Sequence, residues 1–451
     1  MAAPARHSTT RRGFLQWSAA AMALAAGRLP ADDEPGRQQV ENPRATSGDE
    51  VYEPNWEERL TLTVGPKEAD LVGSTEKVIQ AAVDSVARWG GGTVRILPGK
   101  FVFRNAVYLP SKVRILGSGA DTQIIKAASV KTKLAADSDW YDQEITLADA
   151  KGFQVGDGIC LRSKNPHHTG SNVAKRTLVA RSGNRFKLDK PLRENFWEMG
   201  EPTVATLFPL FTGEYINHIV IENLALDGNK AESENLDGNY AGCIFLQDCH
   251  TVQIRGVEAR NSNGDGISWQ ICHDVVVENC HSHDNVGLGL HPGSGSQRPV
   301  MRGNTLERND IGVFFCWGVK FGLAEKNIIR DNRGYGVSIG HRDNNNLVRD
   351  NEIVGSGKSG VLFRPERGKA FAGHRNRIEK NRIVDSGPED GVAIDVQGET
   401  ESIVLERNEI RETRQPMRRV GIRIGQQTRD VRLVENTIVG VSQAVDDRRG
   451  A

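Results

Sequence analysis

The side chains best suited to chemistry lie between residues 265 and 366. His291 is the fourth residue after Gly287, in a run where Gly is followed by alternating apolar and polar positions, so its side chain is expected to face outward. An imidazole titrates near neutral pH and can take a proton from carbon next to a carboxylate. The carbanion so formed needs a cation, and Arg342, His341, Lys320 and Arg364 are available. Arg364 stands three repeats from His291, roughly 14 Å at strand spacing, which suits it to hold a neighbouring unit of the substrate. Asp265, in Asn263-Gly264-Asp265-Gly266-Ile267, offers another chemistry: acid and base work in hydrolysis, paired with Asp284 or Asp248. Gln270, Phe314, Trp317 and Glu366 complete the set as polar and aromatic groups able to hold sugar rings.

These residues sit in a repeat. Gly266-Ile267-Ser268-Trp269, Gly287-Leu288-Gly289-Leu290, Gly312-Val313-Phe314-Phe315, Gly336-Val337-Ser338-Ile339 and Gly360-Val361-Leu362-Phe363 form one column. The first and third residues after each Gly are expected to face inward, leaving Ser268, Gly289, Phe314, Ser338 and Leu362 in one outward row. Gln270, His291, Cys316, Gly340, Arg364 and Asp395 form the other. A second column is Asn279, Asn304, Asn327, Asn351, Asn381, Asn408 and Asn436, spaced 23 to 30 residues apart. Strands this short are unstable alone, but stacked coils bury their apolar residues against one another, so an all-β solenoid, a right-handed parallel β-helix, is predicted. The asparagines are predicted at left-handed corners, their amides bonded into a ladder.

Ser74 to Trp89, with Val78, Ile79, Ala82, Val83 and Val86 on one face, predicts a helix that caps the open end before a first strand at Thr93–Ile96. Residues from about 131 to 202 break the rhythm and read as a small inserted β lobe, with coils resuming at Ile216. Residues 1–31 resemble a twin-arginine export signal, with Thr10-Arg11-Arg12-Gly13-Phe14-Leu15 ahead of a short Ala-rich run. Residues 32–58 read as a linker and 59–451 as one solenoid domain. The signal implies a periplasmic or secreted protein, and no other segment is apolar enough to span a membrane.

The predicted helix, the link Gly90-Gly91-Gly92, Leu97-Pro98-Gly99 and Ile115-Leu116-Gly117-Ser118-Gly119 together resemble the entrance to pectate lyase superfamily β-helices, over about residues 59 to 445. That resemblance implies the fold and, more loosely, a polysaccharide as substrate. Asn263-Gly264-Asp265-Gly266-Ile267 is similar to the first motif of polygalacturonases. The placement of His291 and the run Gly336–Asp343 resemble mannuronan C5-epimerases, although Val286, Gly289 and Leu290 stand where their Tyr, Asp and Pro fall. Three functions follow as expectations: a lyase or C5-epimerase for an acidic glycan, a glycoside hydrolase, or a glycan-binding solenoid without catalysis.

The 58 basic and 58 acidic side chains balance, which argues against nucleic acid as a partner. Locally, Arg298 to Arg382 holds 17 Lys or Arg against 9 Asp or Glu, an excess of +8 that would suit a uronate-rich or sulfated glycan. Cys249 and Cys272, 23 residues apart, are expected to stack as buried thiols or as one disulfide. No cofactor is required by these motifs. Asp227-Gly228-Asn229 and Asp237-Gly238-Asn239 read either as side-chain-capped turns or as a calcium site.

Overall fold

The computed structural model describes residues 54–165, 169–416 and 418–450, and the expected export signal lies outside them. Short strands recur because each carries one inward aliphatic residue with nothing to cover it except the equivalent residue one coil on. Val300–Arg302, Leu323–Glu325, Leu347–Arg349 and Arg377–Glu379 pair in parallel, and Met301, Ala324, Val348 and Ile378 stack at one level, all buried. Ile267, Leu290, Val313, Val337, Val361, Ile394 and Ile422 form a second such stack. Burial of each side chain is worth about 1.5–3 kcal/mol. Asn217–Asp227 pairs with both His250–Arg255 and Glu258–Arg260, joining two ladders into a 22-stranded sheet. An 11-stranded parallel sheet forms the remaining wall.

The corner between the two ladders of the large sheet carries the asparagines. Asn304 N–H donates to Asn327 Oδ1 (2.9 Å), Asn327 N–H to Asn351 Oδ1 (2.9 Å), and Asn351 N–H to Asn381 Oδ1 (3.0 Å). The ladder continues through Asn408 to Asn436. Two details differ from the sequence expectation. The left-handed residue is the one before each ladder Asn, as at Gly303, Lys326, Asp350 and Lys380, so the Asn itself turns inward. Asn279 is exposed and left-handed, outside the ladder, and Cys280 takes the ladder position, its N–H donating to Asn304 Oδ1 (2.9 Å). A further ladder, Asn285, Asn309 and Asn332, stiffens a neighbouring turn.

The capping helix α1 spans Glu76–Arg88, shorter at both ends than Ser74 to Trp89, and buries Ile79, Ala82, Val83 and Val86. Gly91 lets the chain turn off it: a Cβ there would lie 2.1 Å from the Lys112 carbonyl oxygen. The first strand is Leu60–Gly65, ahead of the helix, paired with Gly92–Ile96. It went unrecognised in the sequence because it precedes the repeat.

The insert forms a six-stranded antiparallel sheet from Lys131–Lys133 to Thr203–Ala205, with its own core around Phe153, Leu161 and Phe186. The solenoid resumes at Phe211–Glu214 rather than Ile216, because Phe211 stacks directly on Val107. All six cysteines are buried free thiols; Cys249 N–H approaches Cys272 Sγ at 3.3 Å, and the alternative disulfide is not formed. Among the described residues no helix is long and apolar enough to cross a membrane.

Candidate functional site

Strand pairing places the chemistry-bearing residues differently from the glycine count. Leu290 pairs with Ile267 and Val313, so Gly289, not Gly287, occupies the column glycine position. His291 therefore belongs to the row Thr212, Phe245, Ser268, His291, Phe314, Ser338, Leu362, Asp395, Arg423 on the outer face of the 11-stranded sheet. Asp395 shifts into the same row.

This register brings His291 onto Asp265. His291 Nδ1 lies 2.7 Å from Asp265 Oδ2, and Asp265 Oδ1 accepts the Leu288 N–H at 2.9 Å. With the carboxylate ionised, Nδ1 carries the proton and Nε2 keeps the lone pair. Nε2 is buried and, among the described residues, has no hydrogen-bond partner. The sequence pattern treats Asp265 and His291 as rival catalysts; in the structure they are one unit.

His291 is also not open to solvent, being 2 % exposed. The segment Leu236–Ala241 lies across it, and a Cβ on Gly238 would fall 1.6 Å from Asp265 Oδ2 and 2.8 Å from His291 Nδ1. Ser268 Oγ donates to the Gly238 carbonyl at 2.6 Å. Gln270, expected as an outward sugar ligand, is buried beneath the same segment, with Nε2 bonded to Ser268 Oγ (3.2 Å) and Oε1 unpartnered.

On the other side of His291 stands Phe314, edge to face at 5.5 Å between ring centres. Arg364 covers Phe314, its guanidinium 4.4 Å from the ring centre. The arginine thus reaches back toward His291, closer than its place in the repeat implies, and is fixed by Ser338 Oγ (2.9 Å), the Phe315 carbonyl (2.9 Å) and Asp343 (3.1 Å). Asp343 is fully buried, and burial raises its carboxyl to about 6 against the lowering effect of Arg364 and three backbone N–H groups. Burial also pushes the Cys316 thiol up to about 12, which rules it out as a ready nucleophile.

Beyond Arg364 a shelf forms from Trp317, His341 and Phe371. Trp317 is 58 % exposed and stacks on His341 at 4.6 Å. His341 is held by Glu366, which accepts its backbone N–H (2.8 Å) and lies 3.3 Å from Nδ1. Arg342 and Arg367 both lie over the same anchor, Phe371, at 4.5 and 4.3 Å from its ring centre. Arg342 and His341 therefore serve the shelf and do not join the Asp265–His291 pair. Lys320 belongs to another wall: it aligns with Gln297 and Asn344, in line with His273 at the start of a strand of the large sheet.

Much of the local positive charge also belongs to the large sheet. Arg302, Arg330, Arg349 and Arg377 are paired there with Glu325, Glu307, Glu325 and Glu379. These four arginines are thus held on the large sheet, away from the groove. Asp284, one of the carboxylates suggested as a partner for Asp265, is bound to Arg308 (2.9 Å) and His283 (2.6 Å) on that flank. Asp248 sits at the turn after Gly242–Gln247.

Both Asp-Gly-Asn turns are capped by their own side chains: Asp227 Oδ1 accepts the Asn229 N–H while its Oδ2 accepts from Arg260 and Asn261, and Asp237 Oδ1 accepts the backbone N–H and side-chain amide of Asn239. Among the described residues Glu258, His281 and His283 have ligand atoms within 4.8 Å of one another, but Arg260 already holds Glu258 at 2.6 Å.

Comparison with known proteins agrees with this architecture. Residues 219–367 match the family model "Right handed beta helix region", and residues 317–450 match "Periplasmic copper-binding protein (NosD)". The A-module of mannuronan C-5 epimerase AlgE4 from Azotobacter vinelandii is similar at TM-score 0.54 and 15% identity, covering 86% of this chain and 100% of that one. PfbA, a surface adhesin of Streptococcus pneumoniae, is similar at TM-score 0.53 and 12% identity, covering 85% and 91%. Among proteins of curated function, none matches the sequence. The chain is a right-handed parallel β-helix protein.

Proposed function

We propose that this protein is an exported enzyme that acts on a uronate-containing polysaccharide by removing the C5 proton, as a lyase or C5-epimerase. The observation that carries the reading is the buried Asp265–His291 pair with an unpartnered Nε2. Asp265 fixes the tautomer and stabilises the imidazolium that forms when Nε2 accepts the proton. The electron pair left by C5–H flows into the uronate carboxylate as an enolate, and Arg364, sharing Phe314 with His291, is the nearby cation to balance it. Collapse with cleavage of the C4–O bond, the leaving oxygen taking the proton held at Nε2 or one from water, gives an unsaturated uronate; reprotonation of C5 by a water on the opposite face gives the epimer. The segment Leu236–Ala241 must lift to admit substrate, since it covers His291.

The hydrolase reading fares worse, because it needs two carboxylates flanking one bond and Asp284 is committed elsewhere. The epimerase neighbour and the twin-arginine pattern support a polysaccharide substrate and export. The test is to incubate the mature protein with a panel of polyuronates in deuterated water. Unsaturated ends or deuterium at C5 are expected, and both are lost in His291→Ala. New reducing ends without either, or binding without any turnover, would overturn the proposal.

A further inference from the structure

A cleft of about 570 Å³ opens between the inserted lobe and the early coils of the 11-stranded sheet. Its floor includes Tyr108 and Thr212, which lie in the same row as His291: Tyr108 pairs with Thr212, Thr212 with Phe245, Phe245 with Ser268, and Ser268 with His291. Thr212 is thus three coils from His291, roughly 14 Å. The wall is the lobe strand Ser171–Ser182, and the near end is closed by Asn239 and Tyr240, continuous with the segment over the dyad. The cleft is therefore the upstream end of the candidate groove.

Lys175 enters this cleft from the lobe. Its Nζ stands 3.8 Å from the centre of the Phe245 ring and donates to the Tyr240 carbonyl at 2.6 Å. Among the described residues no carboxylate pairs with it, although Arg104, Arg298 and Arg423 each hold an aspartate. Lys126, which is buried where Lys175 is half-buried, differs: its ammonium is met by the Ala127 and Thr206 carbonyls and Ser129 Oγ, beside a void of only about 30 Å³. A cation withdrawn from water needs a counter-charge. Lys175 has one carbonyl, a ring face and open space; burial lowers its ammonium to about 8 against the raising effect of Glu214, which acts on it without forming an ion pair, and Arg176, Lys190, Arg193 and Glu194 also line the cleft. Asp189 and Glu214 line the same cleft and can accept hydroxyl protons.

We infer that this cleft is a sugar-binding subsite in which Lys175 receives the carboxylate of a uronate unit upstream of the bond or carbon acted on at His291. The inference rests on the proposed glycan chemistry and adds where the chain of sugars lies. It is tested by calorimetric titration of the mature protein with mannuronate, guluronate, galacturonate and glucuronate tetramers and with their carboxyl-reduced, neutral counterparts. Wild type should prefer at least one uronate tetramer over its neutral form by about tenfold. Lys175→Met should abolish that preference at unchanged melting temperature, and Lys175→Arg should keep it. The preference should also fall as pH rises through about 8, where free Lys175 loses its proton, with proton uptake on binding near that pH. His291→Ala should retain the preference, which separates this subsite from the catalytic reading: loss of turnover failing in His291→Ala while the Lys175 result holds would overturn only the latter. Binding of no uronate tetramer, or an unchanged preference in Lys175→Met, would overturn the subsite.

Discussion

At the scale of single residues, the decisive feature is that one carboxylate serves two partners. Asp265 accepts from the Leu288 backbone and from His291, so it holds the coil and the base together. Asp265→Asn keeps the shape but presents an amide that cannot compensate an imidazolium, and kcat is expected to fall by about 10²–10⁴-fold. His291→Ala should remove turnover altogether. Because the two act as a unit, the double variant should be no slower than His291→Ala alone, a non-additivity measured directly from the four rates. Additive losses would mean that the two residues work independently, as the hydrolase alternative requires.

At the scale of elements, the segment Leu236–Ala241 decides access. It is tied down at Gly238 by Ser268 and Gln270, at Tyr240 by Lys175 and at Leu236 by one backbone bond to Asn263, and among the described residues it belongs to no strand. These few bonds are a weak hold compared with a ladder of backbone bonds, so the segment is the natural part of the site to open. Gly238→Ala forces a Cβ into Asp265 Oδ2 and should displace it. Amide exchange of residues 236–241 should then rise while the coils around Val313 and Val337 stay protected. If exchange there is unchanged, the segment is not the cover that the packing implies.

At the scale of the whole molecule, the asparagine corner carries stability from coil to coil. Asn327→Leu or Asn351→Leu leaves a backbone N–H and a carbonyl without their partner and should cost about 1–3 kcal/mol, read as a lower melting temperature with kcat unchanged. Asn279→Gly is the control, since Asn279 is exposed, left-handed and outside the ladder, and Gly adopts that backbone without strain; its melting temperature should match wild type. Export belongs to this scale as well: replacing Arg11 and Arg12 by Lys should leave the full chain in the cytoplasm, as fractionation would show, if the twin-arginine pattern is the address it resembles.

The solenoid was legible in the sequence because its cause is local and repeated. An aliphatic residue, a turn and an Asn recurring every 23 to 30 residues admit few ways to bury the apolar stripe other than stacking. The aromatic shelf was legible in part, since Trp317 and His341 lie in consecutive turns of that repeat. The register of His291 was not. Gly287-Leu288-Gly289 offers two glycines two residues apart, and a slip of two keeps every side chain on the same face, so alternation cannot choose between them. Packing chooses: Gly289 takes the stack because a Cβ there would meet the Gly312 carbonyl oxygen at 2.7 Å, and Gly287 is needed to leave room for Asp265 Oδ1 at 2.2 Å. Likewise nothing near His291 in the chain announces its cover, which comes from residues 236–241, or the cation at Lys175, which comes from an insert outside the repeat. The period of a solenoid is written into each coil, whereas what lies against its outer wall depends on contacts between segments 30 to 70 residues apart, and only the folded chain brings those together.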